Sequence, residues 1–126
     1  MIEVNIELTQ DNLRLENLEA NQATHILADH VFRFITVDEV LAYIKIWISR
    51  LRKGGLLHIN DIDFIRIANN AICKNTTIPE TNRILYNNRK SCLTLEDISD
   101  ILKNLGLKIE EKRFCGIEYS ITARRI

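Results

Sequence analysis

The sequence predicts an α/β protein of one domain, with about five strands, helices between them and an antiparallel hairpin at the C-terminal end. Three observations carry this. Short β-branched runs take turns with segments of helical periodicity. Two of those segments open on the same helix-start signal, Thr36-Val-Asp-Glu39 and Thr94-Leu-Glu-Asp97. The chain closes on two strand-like runs around Cys115-Gly116. A length of 126 residues fits a single hydrophobic core. No linker, repeat or low-complexity tract divides it.

The elements follow in order. Ile2, Val4, Ile6 and Leu8 alternate with Glu3, Asn5, Glu7 and Thr9, the period of a strand with one buried face. Asp11-Asn12 reads as a turn, and residues 13–21 as a loop or a short helical piece. Residues 25–31 (HILADHV) are more continuously apolar, as a parallel strand buried on both faces would be. At Thr36 the hydroxyl can accept from the amide of Glu39, whose carboxylate can reach back to the amide of Thr36. Val37, Val40, Leu41, Ile44, Trp47, Ile48 and Leu51 then recur at helical spacing, with Trp47 on the core stripe. Lys53-Gly54-Gly55 is expected to end that helix, with a cation near its negative pole and glycines free to take a left-handed conformation. Residues 56–60 (LLHIN) follow as a strand and 61–64 as the loop at its carboxyl end. Residues 65–73 look helical, 74–79 are a polar break, and 80–87 form a second short helix. Leu95, Ile98, Ile101, Leu102 and Leu105 give the last apolar stripe, and Gly106 caps it. Residues 107–114 and 117–124 are the hairpin.

Composition excludes several classes. With 17 basic and 17 acidic side chains, no strong positive field marks a dedicated nucleic-acid binder. Cys73, Cys92 and Cys115 contain no C-x-x-C pair, so a structural zinc site is not expected, and no metal is. Three reduced thiols and no signal-like N-terminus fit a cytoplasmic protein. No apolar run approaches the roughly 18 residues that span a bilayer. Abundant Asn and Ile with a single Pro fit an AT-rich coding source, such as many phages.

Three stretches resemble the later part of a class I S-adenosylmethionine-dependent methyltransferase. THILADHV, the long helix and LRKGGLLHIND are similar to the family's fourth strand, fourth helix and the L-K-P-G-G turn into its fifth strand. LYNNRKSCLTLEDISDILKNLGLKIEE is similar to the loop, fifth helix and L-x-x-x-G-F ending that follow. EYSITARR is similar to the closing strand, and IEVNIELT resembles the third strand of a small phage and bacterial subgroup that reads v-D-v-v-x-D-L. The chain then corresponds to a truncated, C-terminal part of that Rossmann-like fold. Where the subgroup has H-V-L-E-H after its fourth strand, this chain has His30-Val-Phe-Arg-Phe34. Where the family has Pro before the two glycines, it has Lys53.

The resemblance implies a cofactor, S-adenosylmethionine, and a place for it. It puts Glu7 and Asp29 at cofactor-binding positions and makes His30 and Asp61 the candidate catalytic bases, with Asp63 at the rim of the site. Each has a plainer reading: Asp29 as a turn cap, His30 as a hydrogen-bonded, partly buried residue, Asp61 and Asp63 as turn formers. The glycine-rich loop after the first strand has no counterpart, because the four glycines stand at 54, 55, 106 and 116. The ribose-binding acid of the second strand is missing too. Cofactor binding by this chain alone is therefore doubtful. Residues 64–93 are the candidate lid, where Arg83, Arg89 and Lys90 either face an anionic acceptor or are solvated.

Removing strands 1 and 2 from the family's order 3-2-1-4-5-7-6 leaves the strand at 25–31 with an open edge, which folded proteins must cover. Either the N-terminal strand moves in to pair with it, or a second copy or a partner protein covers the region from Thr24 to Phe34, making a homo-oligomer or a complex. Three functions follow. The chain is a methyltransferase-like binding or assembly module without self-sufficient methyl transfer; or a minimal methyltransferase completed by oligomerisation or a partner subunit; or a viral protein binding a nucleotide-like ligand.

Overall fold

In the computed structural model, which describes residues 2–126, the five strands form one sheet in the order β1-β2-β3-β5-β4. These are β1 (Asn5–Glu7), β2 (Ala23–Asp29), β3 (Leu51–Ile62), β4 (Lys108–Cys115) and β5 (Glu118–Arg124). The helices are α1 (Val40–Arg50), α2 (Phe64–Ile72), α3 (Ile78–Tyr86) and α4 (Leu95–Asn104). The first three strands run parallel, β5 is antiparallel to β3, and β4 closes the hairpin. From β2 outward the order matches strands 4, 5, 7 and 6 of the resemblance.

The open edge is closed by the first of the two expected routes. β1 lies in parallel register against β2, with Asn5 opposite His25 and Glu7 opposite Leu27. Val4 O accepts from the amides of Thr24 and His25, and Leu8 N donates to Leu27 O. The oligomer expectation therefore no longer rests on that edge.

The sheet has helices on one face only. α1 packs on β3, and α4 on β4 and β5. Ile26, Ala28, Leu57, Ile59, Ile121 and Ala123 point to that side and are buried with Ile44, Trp47, Ile98 and Leu102. Each large side chain so buried contributes about 1.5–3 kcal/mol. The residues between them, His25, Leu27, Leu56, His58, Asn60, Ser120 and Thr122, lie on the uncovered face and are exposed or half-buried. This corrects the reading of residues 25–31 as buried on both faces. Their alternation is that of a sheet with one solvated side.

The first helix also differs from expectation at both ends. The Thr36–Glu39 box forms, with Glu39 Oε1 accepting from the Thr36 amide at 3.1 Å and from its hydroxyl at 2.8 Å. It starts a 3-10 turn, Val37–Glu39, before α1 proper. Lys53-Gly54-Gly55 does not end the helix but lies inside β3. Gly55 is needed there for close approach: a β-carbon on it would lie 2.9 Å from Arg52 O of β3 itself and 3.2 Å from Ala23 O of β2. Gly54, at φ 83°, accommodates the accompanying register shift. The Thr94–Asp97 box and the Gly106 cap form as read.

Candidate site at the carboxyl ends of the parallel strands

Ligands of open α/β sheets bind beyond the carboxyl ends of the strands, where side chains from several elements converge. Here β2 ends at Asp29, and His30 turns the chain into a 3-10 turn, Val31–Phe34. His30 holds a left-handed conformation, φ 56° and ψ 34°, unusual for a residue with a β-carbon. Its amide donates to Asn60 O at 2.8 Å, tying it to β3. Its ring lies between two carboxylates, with Nδ1 2.7 Å from Asp29 Oδ1 and Nε2 3.2 Å from Glu118 Oε1. Both acids are about half exposed, so this pair of contacts faces solvent.

The structure thus brings Asp29 and His30 together and adds Glu118, which sequence reading missed. Glu118 begins β5, 88 positions from His30, and only the register of β5 on β3 brings it to the site. On the neighbouring stretch of the open face, His58 Nε2 is 2.8 Å from Asn60 Oδ1 and 2.9 Å from Ser120 Oγ, and Nδ1 is 3.2 Å from Thr122 Oγ1. These four were also missed. Their signal was available in principle, because polar residues at alternate positions of one strand share a face.

Asp61 is placed elsewhere. Its side chain lies on the helix-covered face, 2% exposed, and pairs at 2.8 Å with Arg89, itself 3% exposed. Its oxygens also accept from the amides of Ile62 at 2.7 Å and Phe32 at 3.3 Å. Burial pushes its carboxyl above the usual range, and the Arg89 guanidinium opposes that rise. Asp61 anchors the turn after β2 and presents no free oxygen to a substrate. The same pair overturns the reading of Arg89 as solvated or facing an acceptor. Arg89 further donates to Ser91 O at 2.9 Å, and Ser91 Oγ donates to Phe32 O at 2.8 Å, which fastens the loop before α4 against the turn after β2. Asp63 caps α2 through the Arg66 amide and accepts from the Leu95 amide at 2.9 Å, joining two helix starts.

Glu7 stands apart from His30, exposed on β1 at the far end of a shallow groove with His25, Leu27, Leu56 and His58. The chain that follows it tests whether S-adenosylmethionine fits. A cradle for the cofactor's amino-acid end requires backbone without β-carbons close to the ligand. After β1 the chain instead turns through Thr9–Asn12, with Asn12 Nδ2 donating to Glu7 O at 3.1 Å. It then packs down on α1, with Leu13 and Leu15 buried and Trp47 Nε1 donating to Leu13 O at 2.7 Å. Residues with side chains fill the whole loop, and it contains no glycine. The residues present do not fit the cofactor's cradle. Among the described residues no group of three or more His, Cys, Asp or Glu is arranged to hold a metal ion. Among them, too, no helix is long and apolar enough to cross a membrane.

No protein-family model and no curated protein matches the sequence. Solved structures do match it. A protein of Pyrococcus horikoshii superposes with TM-score 0.71 and 13% identity over 99% of this chain and 72% of that one. A SAM-dependent methyltransferase of Archaeoglobus fulgidus gives 0.63 and 13%, over 92% of this chain and 64% of that one. One of Aquifex aeolicus gives 0.57 and 15%, over 86% and 49%. The chain therefore spans about half of the Aquifex protein and just under two thirds of the Archaeoglobus one. At these identities the likeness is one of fold: the sheet is a partial Rossmann-like methyltransferase sheet.

Proposed function

From a chain that carries only part of the methyltransferase fold, we propose a methyltransferase-like module without self-sufficient methyl transfer, which acts by binding and assembly. The observation that carries this reading is the loop after β1, packed onto α1 where a cofactor cradle would have to open. Two surfaces support the assembly part. One is the sheet face without helices. The other is the α2–α3 pair, where α3 buries no residue and Ile65, Ile72, Ile78 and Tyr86 are each more than half exposed. A second copy or a partner protein covering these surfaces gives the homo-oligomer or complex expected from the sequence.

Calorimetry with S-adenosylmethionine and S-adenosylhomocysteine tests the first part, with no saturable heat expected from the isolated chain. Saturable binding to the chain alone, lost in Asp29→Ala or Glu7→Ala, would overturn it. A mass measurement in solution tests the second part, and a clean monomer at micromolar concentration removes the homo-oligomer.

One observation favours a second reading, a minimal methyltransferase completed by another subunit. Backbone strain of the kind seen at His30 collects at functional sites, and here it holds an imidazole between Asp29 and Glu118 at the strand ends. In that reading His30 is the base that takes the acceptor's proton, and the two acids orient its ring. Cofactor binding that appears only with the partner present separates it from the first reading.

A further inference from the structure

The chain has ten arginines, and eight have an evident partner. Arg14 lies over the Tyr43 ring and Arg66 over Phe114. Arg50, Arg52 and Arg125 donate to backbone carbonyls of Leu15, Ile2 and Leu51. Arg89, Arg113 and Arg124 pair with Asp61, Glu111 and Glu110. The side chains of Arg33 and Arg83 alone make no hydrogen bond, ion pair or ring contact among the described residues, and both line the same cavity. It measures about 350 Å³ and lies at the carboxyl ends of the parallel strands, between the turn after β2 and α3. Two positions 50 residues apart in the chain are brought there by the fold.

The remaining walls hold no acid paired with either guanidinium. Arg89 is part of the lining but is spent on Asp61. Glu118, the acid at the rim, is turned to His30 Nε2. Asn87 adds an amide that can donate. A guanidinium is permanently charged, weakly hydrated and forked, and it matches the paired oxygens of a phosphate. Two such groups with no acid of their own, on one concave wall, suit a doubly charged oxyanion.

We propose that this cavity is a binding site for a phosphate group carried by a small molecule, with Arg33 and Arg83 as its two charged ligands and Asn87 as a neutral donor. The site does not depend on the proposed lack of methyl transfer or on assembly, and it is distinct from the groove at Glu7.

The test is titration of the whole chain with inorganic phosphate at constant ionic strength, read by calorimetry and by amide chemical shifts. Saturable binding is expected, with shifts confined to residues 30–34 and 82–89. Arg33→Gln and Arg83→Gln should each weaken it by about tenfold or more, the worth of one charge-assisted contact. Both side chains are exposed, so neither variant should change the melting temperature without ligand. Arg113→Gln, on an exposed pair outside the cavity, is the control and should leave the affinity unchanged. No saturable binding overturns the proposal, and so does equal weakening by Arg113→Gln, which would mark unspecific attraction. Failure here leaves the calorimetry with S-adenosylmethionine and the mass measurement unaffected.

Discussion

Replacing Arg89 with Met keeps most of the stem's volume and removes the charge that faces Asp61 together with the hydrogen bond to Ser91 O. Both side chains are almost fully buried, at 2% and 3% exposure, and their contact is 2.8 Å. Without the guanidinium, the Asp61 carboxylate keeps two backbone amides and no opposite charge. Removing one partner of such a pair costs about 3–5 kcal/mol. The total stability of a domain is about 5–15 kcal/mol. With a urea slope of about 2 kcal/mol per molar, the midpoint should fall by about 2 M.

The deficit should also depend on pH. Burial already holds the Asp61 carboxyl above its ordinary value, and losing Arg89 raises it further. A carboxyl raised in the folded state binds its proton more readily there than in the unfolded chain. Stability is therefore regained as pH falls toward that raised value and lost as pH rises through it. Urea unfolding of Arg89→Met and wild type at pH 8 and pH 5 should show the gap narrowing at the lower pH. The double variant Asp61→Asn/Arg89→Met should recover part of the loss. A gap below about 1 kcal/mol, or one equal at both pH values, would mean that water reaches Asp61 and would refute the anchoring role.

Two smaller predictions use the same structure. Thr94→Ala removes the hydroxyl that accepts from the Asp97 amide at 3.1 Å on a helix with Leu95, Ile98 and Leu102 buried, and should cost about 1 kcal/mol in global unfolding. The matching change Thr77→Ala, on the unburied α3, should move the global midpoint by less than about 0.5 kcal/mol while speeding exchange of the Thr81 amide. At pH 8 a disulfide reagent should modify the exposed Cys73 and Cys115 quickly and Cys92 slowly, because burial pushes the Cys92 thiol up to about 11. Three equal rates would contradict the burial of Cys92.

What was readable in the sequence was what local rules encode. Both Thr-initiated boxes formed, the hairpin turned at Gly116, and Trp47 went to the core. The misreadings came from tertiary context. Residues 53–55 carry helix-stop chemistry, yet they lie inside β3, where Gly54 takes a left-handed conformation at the register shift and Gly55 passes close to Ala23. Residues 25–31 looked continuously apolar because Leu27 and Ala28 are of similar type, although strand alternation puts them on opposite sides and only one side is covered by helices. The site divided in the same way. Asp29 and His30 are neighbours in sequence and could be paired from it. Glu118 and Arg89 reach their partners only through strand register and a long loop, and no spacing rule announces them.

The three residues of β1 have a consequence of their own. They satisfy the backbone of β2, and a ladder so short is expected at the low end of local stability, where strands open before the rest of the fold. When it opens, the edge of β2 becomes free to take a strand in parallel register. Such an edge accepts an extended segment of another chain by strand addition. The element that completes this sheet is thus also its exchangeable one, and a peptide with the alternation of residues 2–8 could take its place.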